Sequence, residues 1–208
     1  MSSFDEKLRL KGQAEEDSYF ARRDRELIEG LHRKRSAAPS PVREGMDRLP
    51  KRVVSGGQTG VDRAALDAAL RLGIDIGGWC PLGRRAEDGP ISERYPLLET
   101  PSRAYRQRTE WNVRDSDATL IMCRREMRGG TRLTAEIAAR YGRPLLALDL
   151  AGESKLRAVR VWLRDNGVGT LNVAGPREES APGIYAEAYV SLCGILSDSN
   201  ELSPERSD

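Results

Sequence analysis

The sequence predicts a Rossmann-like doubly wound α/β fold: a mostly parallel sheet with helices on both faces, plus a helical N-terminal extension. Three observations carry that reading. Strand-like and helix-like apolar periods alternate from residue 52 to about residue 196. The strand segments ATLIMC and RPLLALDL are apolar runs, not alternating patterns, which marks strands covered on both faces. Glycine-rich turns, GGQTG at 56–60 and GGT at 129–131, stand where a strand hands over to a helix.

Residues 1–51 read as a charged helical extension followed by a Pro/Ser linker. Two short helices broken at Gly12 are expected, the second carrying Phe20, Leu27, Ile28 and Leu31 along one side. That stripe is too thin for an independent helix, so it is expected to dock against the core or a second copy of the chain, giving a homo-oligomer. SAAPSPVREG, with Pro39, Pro41 and Gly45, is the linker. The ligand-binding domain spans 52–198 and a polar tail 199–208.

Within the domain, RVVSG begins the sheet. Residues 61–72 form a helix that Gly73 ends. IDIGGWC is a second strand, and PLGRRAEDGPISERYP a long loop. Residues 97–99 can add a short strand. Ser102 is expected to cap a helix reaching about Asp115. ATLIMC is a buried strand, followed by a Gly turn and a helix with Leu133, Ile137 and Tyr141 on one face. RPLLALDL is another buried strand. Residues 155–166 are helical, with Leu156, Val159 and Leu163 inward. TLNVAGP is the last strand, and 184–196 the last helix.

Charge and cysteine content narrow the function classes. The net charge is +2, and the first 51 residues hold all of it, with 12 Lys/Arg against 10 Asp/Glu; the rest of the chain has 22 of each. A neutral domain lacks the basic stripe that nucleic-acid binding requires. Three cysteines, Cys80, Cys123 and Cys193, are widely spaced without a CxxC pair, so neither a disulfide framework nor a thiolate metal site is expected. The charged N-terminus has no signal-peptide core, and no apolar run approaches a membrane span. A cytoplasmic protein without membrane or nucleic-acid partners is expected. The lone His32 lies in the extension, which excludes a histidine-based triad.

The glycine turns suggest the ligand. Gly56, Gly57, Gln58, Thr59 and Gly60, with Asp62 just beyond, form a strand–helix turn whose N–H groups can approach an anion at a helix N-terminus. The spacing GGxxG is neither the dinucleotide GxGxxG nor a Walker A loop. A second turn, Gly129, Gly130 and Thr131, with Thr134 and Glu136 following, repeats the pattern. Thr131 and Thr134 also suit plain helix capping. In the long loop, Arg84 and Arg85 either clamp a phosphate or remain solvated charge. Trp79 and Trp111 either stack on a flat ring or pack in the core. The expected ligand is a small phosphate-bearing cofactor or nucleotide.

These residues also carry a resemblance. SGGQTGVDRAALDAAL, GGWCPLGRRAEDGPI, YPLLETPS, YRQRTEWNVRDSDATLI and GGTRLTAEIA together resemble the molybdenum carrier family, over about residues 52–194. That family is similar in fold to molybdenum-cofactor carriers, within a wider group of Rossmann-like, lysine decarboxylase-like domains. The resemblance implies a non-catalytic carrier that holds the molybdenum cofactor (molybdopterin) or another phosphate-bearing nucleotide, protects it from oxidation, and serves molybdoenzymes. By motif, its cradle is Gly56, Gly57, Thr59 and Gly60, with Gly129, Gly130 and Thr131 opposite. GGTRLTAE also resembles the GGxGTxxE motif of nucleoside-monophosphate phosphoribohydrolases, in which Glu136 would be catalytic. Here Arg132 and Leu133 replace that motif's Gly-Thr. A third reading is a nucleotide-sensing module without catalysis.

Overall fold

The computed structural model of the chain describes residues 49–151 and 156–197. The expected N-terminal helices and linker, the polar tail, and Lys155 at the start of one helix lie outside the described residues.

In chain order the elements begin with β1 (Arg52–Val54), α1 (Val61–Arg71), β2 (Asp75–Gly77), β3 (Trp79–Cys80), β4 (Arg85–Ala86), β5 (Gly89–Pro90) and β6 (Leu98–Glu99). They continue with α2 (Tyr105–Arg114), β7 (Ala118–Cys123), α3 (Gly129–Arg140), β8 (Leu145–Asp149), α4 (Leu156–Asp165), β9 (Thr170–Ala174) and α5 (Ile184–Leu196). Five strands form the main sheet in the order β2-β1-β9-β7-β8, all parallel. The register sets Val53 beside Ile76 and Leu171, and Leu120 beside Val173 and Leu146. Counted from the middle outward, this is the 3-2-1-4-5 order of a doubly wound sheet, with the chain's last strand standing in the place of the first.

The helices cover both faces, as right-handed crossovers require. On one face α1, α4 and α5 bury Ala64, Ala68, Val159, Leu163, Leu192 and Ile195 against Val53, Leu120 and Val173. On the other, Val113 of α2 meets Ile137 and Ala138 of α3. Leu146 and Leu148 join the first cluster and Leu145 the second, the alternation a pleated strand imposes.

Several expectations need refinement. IDIGGWC is not one strand: it breaks at Gly78, whose φ is +123°, and Trp79–Cys80 leaves the main sheet to pair with Leu98–Glu99. A Cβ at Gly78 would lie 2.4 Å from the Ser55 carbonyl, so the break depends on glycine. The long loop contains the β4–β5 hairpin. Ser102 does not cap α2, which starts three residues later at Tyr105 with Ala104 at its N-cap; the Ser102 hydroxyl instead accepts from the Ala104 N–H at 3.0 Å. β8 is an edge strand, so among its residues only Leu148 is fully buried, whereas β7, flanked on both sides, is buried at all six positions. α3 begins at Gly129 itself, so its glycines open the helix and do not precede it.

Candidate functional site

A cleft of about 750 Å³ opens at the carboxyl ends of β1, β9 and β7. That is where a doubly wound sheet leaves room for a ligand, because the helices on either side of the reversal point diverge. Five arginines line it (Arg108, Arg124, Arg125, Arg128 and Arg177) against the two carboxylates Asp62 and Glu126. The local field therefore favours an anion, although the domain as a whole is neutral.

The β1 turn forms one wall, and its own protein neighbours satisfy most of it. The Gln58 N–H donates to Asp62 Oδ2 at 3.3 Å, and the Thr59 N–H to Gln58 Oε1 at 3.0 Å. Val61, the first residue of α1, donates its N–H to the Pro176 carbonyl at 3.2 Å. The Asp62 carboxylate thus sits at the helix N-terminus where an external anion was expected. It is buried and paired with Arg108 Nη1 at 3.0 Å. Burial raises its pKa above the ordinary carboxylate value, and Arg108 opposes the rise. Gly56 is explained by the same arginine: a Cβ there would lie 1.9 Å from Arg108 Nη1. A Cβ on Gly60, at φ +74°, would lie 2.5 Å from the Pro176 carbonyl oxygen, and one on Gly57 would lie 2.5 Å from Leu97 Cδ1. Of the expected residues in this turn, only Gln58 and Asp62 line the cleft.

Two donors of this wall have no acceptor. Gln58 Nε2 and Arg108 Nε are buried and unpartnered. The Gln58 side chain is oriented by its other end, since Oε1 accepts from the N–H groups of Thr59 and of Glu87, the latter at 2.9 Å. Its amide N–H groups must therefore turn the other way. Thr59 faces away from the cleft, its hydroxyl bonded to Glu87 Oε1 and accepting from the Glu178 N–H at 3.3 Å.

The opposite wall is open. α3 starts at Gly129 with Arg128 at its N-cap and no side-chain cap, so the N–H groups of Gly129 and Gly130 have no helical partner, while the Thr131 N–H turns back to the Arg128 carbonyl at 3.1 Å. A Cβ on Gly129 or Gly130 would meet nothing within 4 Å. Thr131 and Thr134 are buried on this wall, and the Thr134 hydroxyl donates to the Gly130 carbonyl at 2.9 Å. Asp149 shapes the approach by accepting from the Arg125 N–H at 2.9 Å, and Arg125 itself has φ +59°. Arg124 is fixed to Glu187 at 2.8 Å and to the Pro182 carbonyl at 3.0 Å, and this pairing lowers the Glu187 pKa.

The loop arginines separate. Arg84 does not reach the cleft: its guanidinium donates to the carbonyls of Ile91, Leu97, Ser92 and Tyr95 at 2.8–3.1 Å, tying the loop together. Arg85 lies over the Tyr105 ring at 5.2 Å, and Arg177 lies 5.7 Å from the same ring, so Tyr105 places both cations at the rim. Glu136 is exposed and bonded to Arg132 at 3.1 Å, and it is not part of the cleft lining. Trp79 and Trp111 pack edge to face at 4.6 Å away from the cleft. Among the described residues no cluster of His, Cys, Asp or Glu is placed to hold a metal ion.

Sequence reasoning missed Arg108, Tyr105, Arg177 and Gly175. Gly175 had a readable signal, since it follows a buried strand as the other turns do. A Cβ on it would lie 2.3 Å from the Met122 carbonyl oxygen, so it lets β9 and β7 close up beneath the cleft. Arg108 had none: in YRQRTEWN nothing local distinguishes it from its arginine neighbour.

The strand order and the comparisons agree. Residues 53–196 match the circularly permutated YpsA SLOG family, the relationship implied by a last strand that fills the first strand's place. The chain is also similar to a solved structure, "Putative molybdenum carrier protein" from Syntrophus aciditrophicus SB. That likeness has 42% identity and a TM-score of 0.71, covering 74% of this chain and 100% of the other. None of the curated proteins matches. No helix among the described residues is long and apolar enough to cross a membrane. With the fold, the permuted strand order and the matched residues in agreement, the chain belongs to the circularly permutated YpsA SLOG family, among molybdenum carrier-like proteins.

Proposed function

We propose that the cleft binds a small phosphate-bearing cofactor or nucleotide, with its phosphate against the N-terminus of α3. The observation that carries this reading is the uncapped start of α3 at Gly129 and Gly130, which borders an arginine-rich cleft and has open space where side chains would stand. Backbone N–H groups and the positive end of the helix dipole favour an anion there. Glycine permits the close approach.

A molybdenum-cofactor carrier is the leading identity, supported by the name of the 42% identical structure. The residues present fit the phosphate of such a ligand: Gly129, Gly130 and Thr131 would hold it, with Arg125 and Arg128 at the entrance. Molybdenum would arrive as cargo, held by the cofactor's own sulfur atoms. The chain's part is to bind, orient and exclude water. A cytoplasmic homo-oligomer that passes its cargo to molybdoenzymes fits the same reading. The phosphoribohydrolase alternative needs Glu136 beside the ligand, and Glu136 is engaged with Arg132 on the exposed side of α3.

The test combines native mass spectrometry of freshly purified full-length protein with calorimetric titration of orthophosphate. The expected result is a copurifying phosphate-bearing ligand and saturable phosphate binding that salt weakens. Absence of both would overturn the proposal.

A further inference from the structure

We infer that the cleft holds a second oxyanion subsite, formed by Gln58 Nε2 and Arg108 Nε on the β1 wall, so the ligand carries two linked oxyanions, as a diphosphate does. The inference rests on the phosphate reading above and adds to it the class of ligand.

Both donors are buried, both lack an acceptor, and both belong to residues that line the cleft. An unpaired buried N–H is costly to keep, so a fold that keeps two of them in the lining of one cleft has a use for them. Each is also held in place by its own partner. Gln58 Oε1 is taken by the N–H groups of Thr59 and Glu87, which fixes the direction of Nε2. Arg108 is held through Nη1 by Asp62, and Gly56 leaves the space in which its guanidinium lies. Gln58 is 4% exposed, so bulk water does not satisfy its amide.

The occupant must be an acceptor. Gln58 Nε2 and Arg108 Nε are N–H donors, and a guanidinium prefers an oxyanion to a neutral carbonyl. Asp62 does not fill this role, because it is engaged with the Gln58 backbone and Arg108 Nη1. The subsite lies on the β1 wall and the phosphate site at the start of α3, and both walls line one cleft. A ligand with two linked oxyanions serves both, one at Gly129 and Gly130 and the other at Gln58 and Arg108.

The test is calorimetric titration of the full-length chain with inorganic orthophosphate and, separately, inorganic pyrophosphate. Parent protein should bind pyrophosphate at least about tenfold more tightly than orthophosphate, the gain expected of one further charge-assisted contact. Gln58→Glu keeps the acceptor that Thr59 and Glu87 need but replaces the donor with an oxyanion. Arg108→Lys keeps the charge and removes Nε. In either variant the ratio of the two affinities should collapse toward one, with the fold checked by melting temperature. If one variant fails to fold, the other and the parent ratio still decide. Orthophosphate binding with no pyrophosphate preference, or a preference that survives both substitutions, overturns the second subsite and leaves the phosphate reading standing. Failure of both anions to bind parent protein overturns both.

Discussion

The two glycine-rich turns look alike in sequence and differ in what occupies the space around them. In the β1 turn, the positions where side chains would stand are taken by Arg108, by Leu97 and by the Pro176 backbone, all within 2.5 Å of a built Cβ. At the start of α3, a Cβ built on either glycine meets no neighbouring side chain or loop within 4 Å. Glycine in the first turn admits the protein to itself; glycine in the second leaves room for something else. A glycine motif therefore locates a ligand only after its neighbours are known.

The largest expected effect probes the filled turn. Gly60→Ala forces a positive φ on a residue with a Cβ and drives that atom into the Pro176 carbonyl. Together these should cost about 2–5 kcal/mol and lower Tm by roughly 5–15 °C. A melting temperature equal to the parent's would show the turn to be as open as the start of α3.

The next substitution extends the comparison into the long loop. Arg84→Lys cannot reproduce four hydrogen bonds to loop carbonyls, and it should cost about 3 kcal/mol. Anion affinity should move far less than Tm. A variant of parental stability with weakened phosphate binding would return Arg84 to the ligand.

Farther along α1 the filled half is fastened by Asp67, which accepts from Tyr95 at 2.9 Å and Tyr185 at 2.7 Å. Burial and the Asp67 bond hold the Tyr185 hydroxyl well above its ordinary 10.0. Its folded pKa is raised, so its contribution is fully present below pH 10 and is lost as pH climbs above that value, where the unfolded chain ionises first. Tyr185→Phe should flatten the loss of stability above pH 10 in alkaline melts. An unchanged slope would remove Tyr185 from the account.

The smallest effect is expected outside the cleft altogether. Glu136→Gln breaks one exposed i,i+4 pair and should cost at most about 0.5 kcal/mol, leaving phosphate affinity unchanged. Release of free base from a nucleoside monophosphate, abolished by this substitution, would instead promote the hydrolase reading.

Much of this was legible in the chain. Alternating periods give the strands and helices because burial on both sheet faces demands continuous apolar runs, and Ile184–Leu196 is found as read. What the sequence hides is neighbourhood. Gly56 and Gly130 carry the same local signal, yet only the tertiary contact with Arg108, 52 residues from Gly56, tells them apart. Arg84 and Arg85 are adjacent, and the positive φ of Arg84 turns one into the loop and the other toward Tyr105. The strand order is likewise invisible to periodicity, because β9 enters the centre of the sheet from the far end of the chain.

The central claim is that the start of α3 is kept open for a ligand's phosphate, and Gly130→Ala tests it most directly. Gly130 has an ordinary φ and free space, so alanine should fit and, by helix propensity, hold Tm at or above the parent value. Orthophosphate affinity measured by calorimetry on the same protein should fall by at least about tenfold, the loss of one close charge-assisted contact. Stable protein with weakened phosphate binding is the predicted result; stable protein that binds phosphate as the parent does would contradict the account.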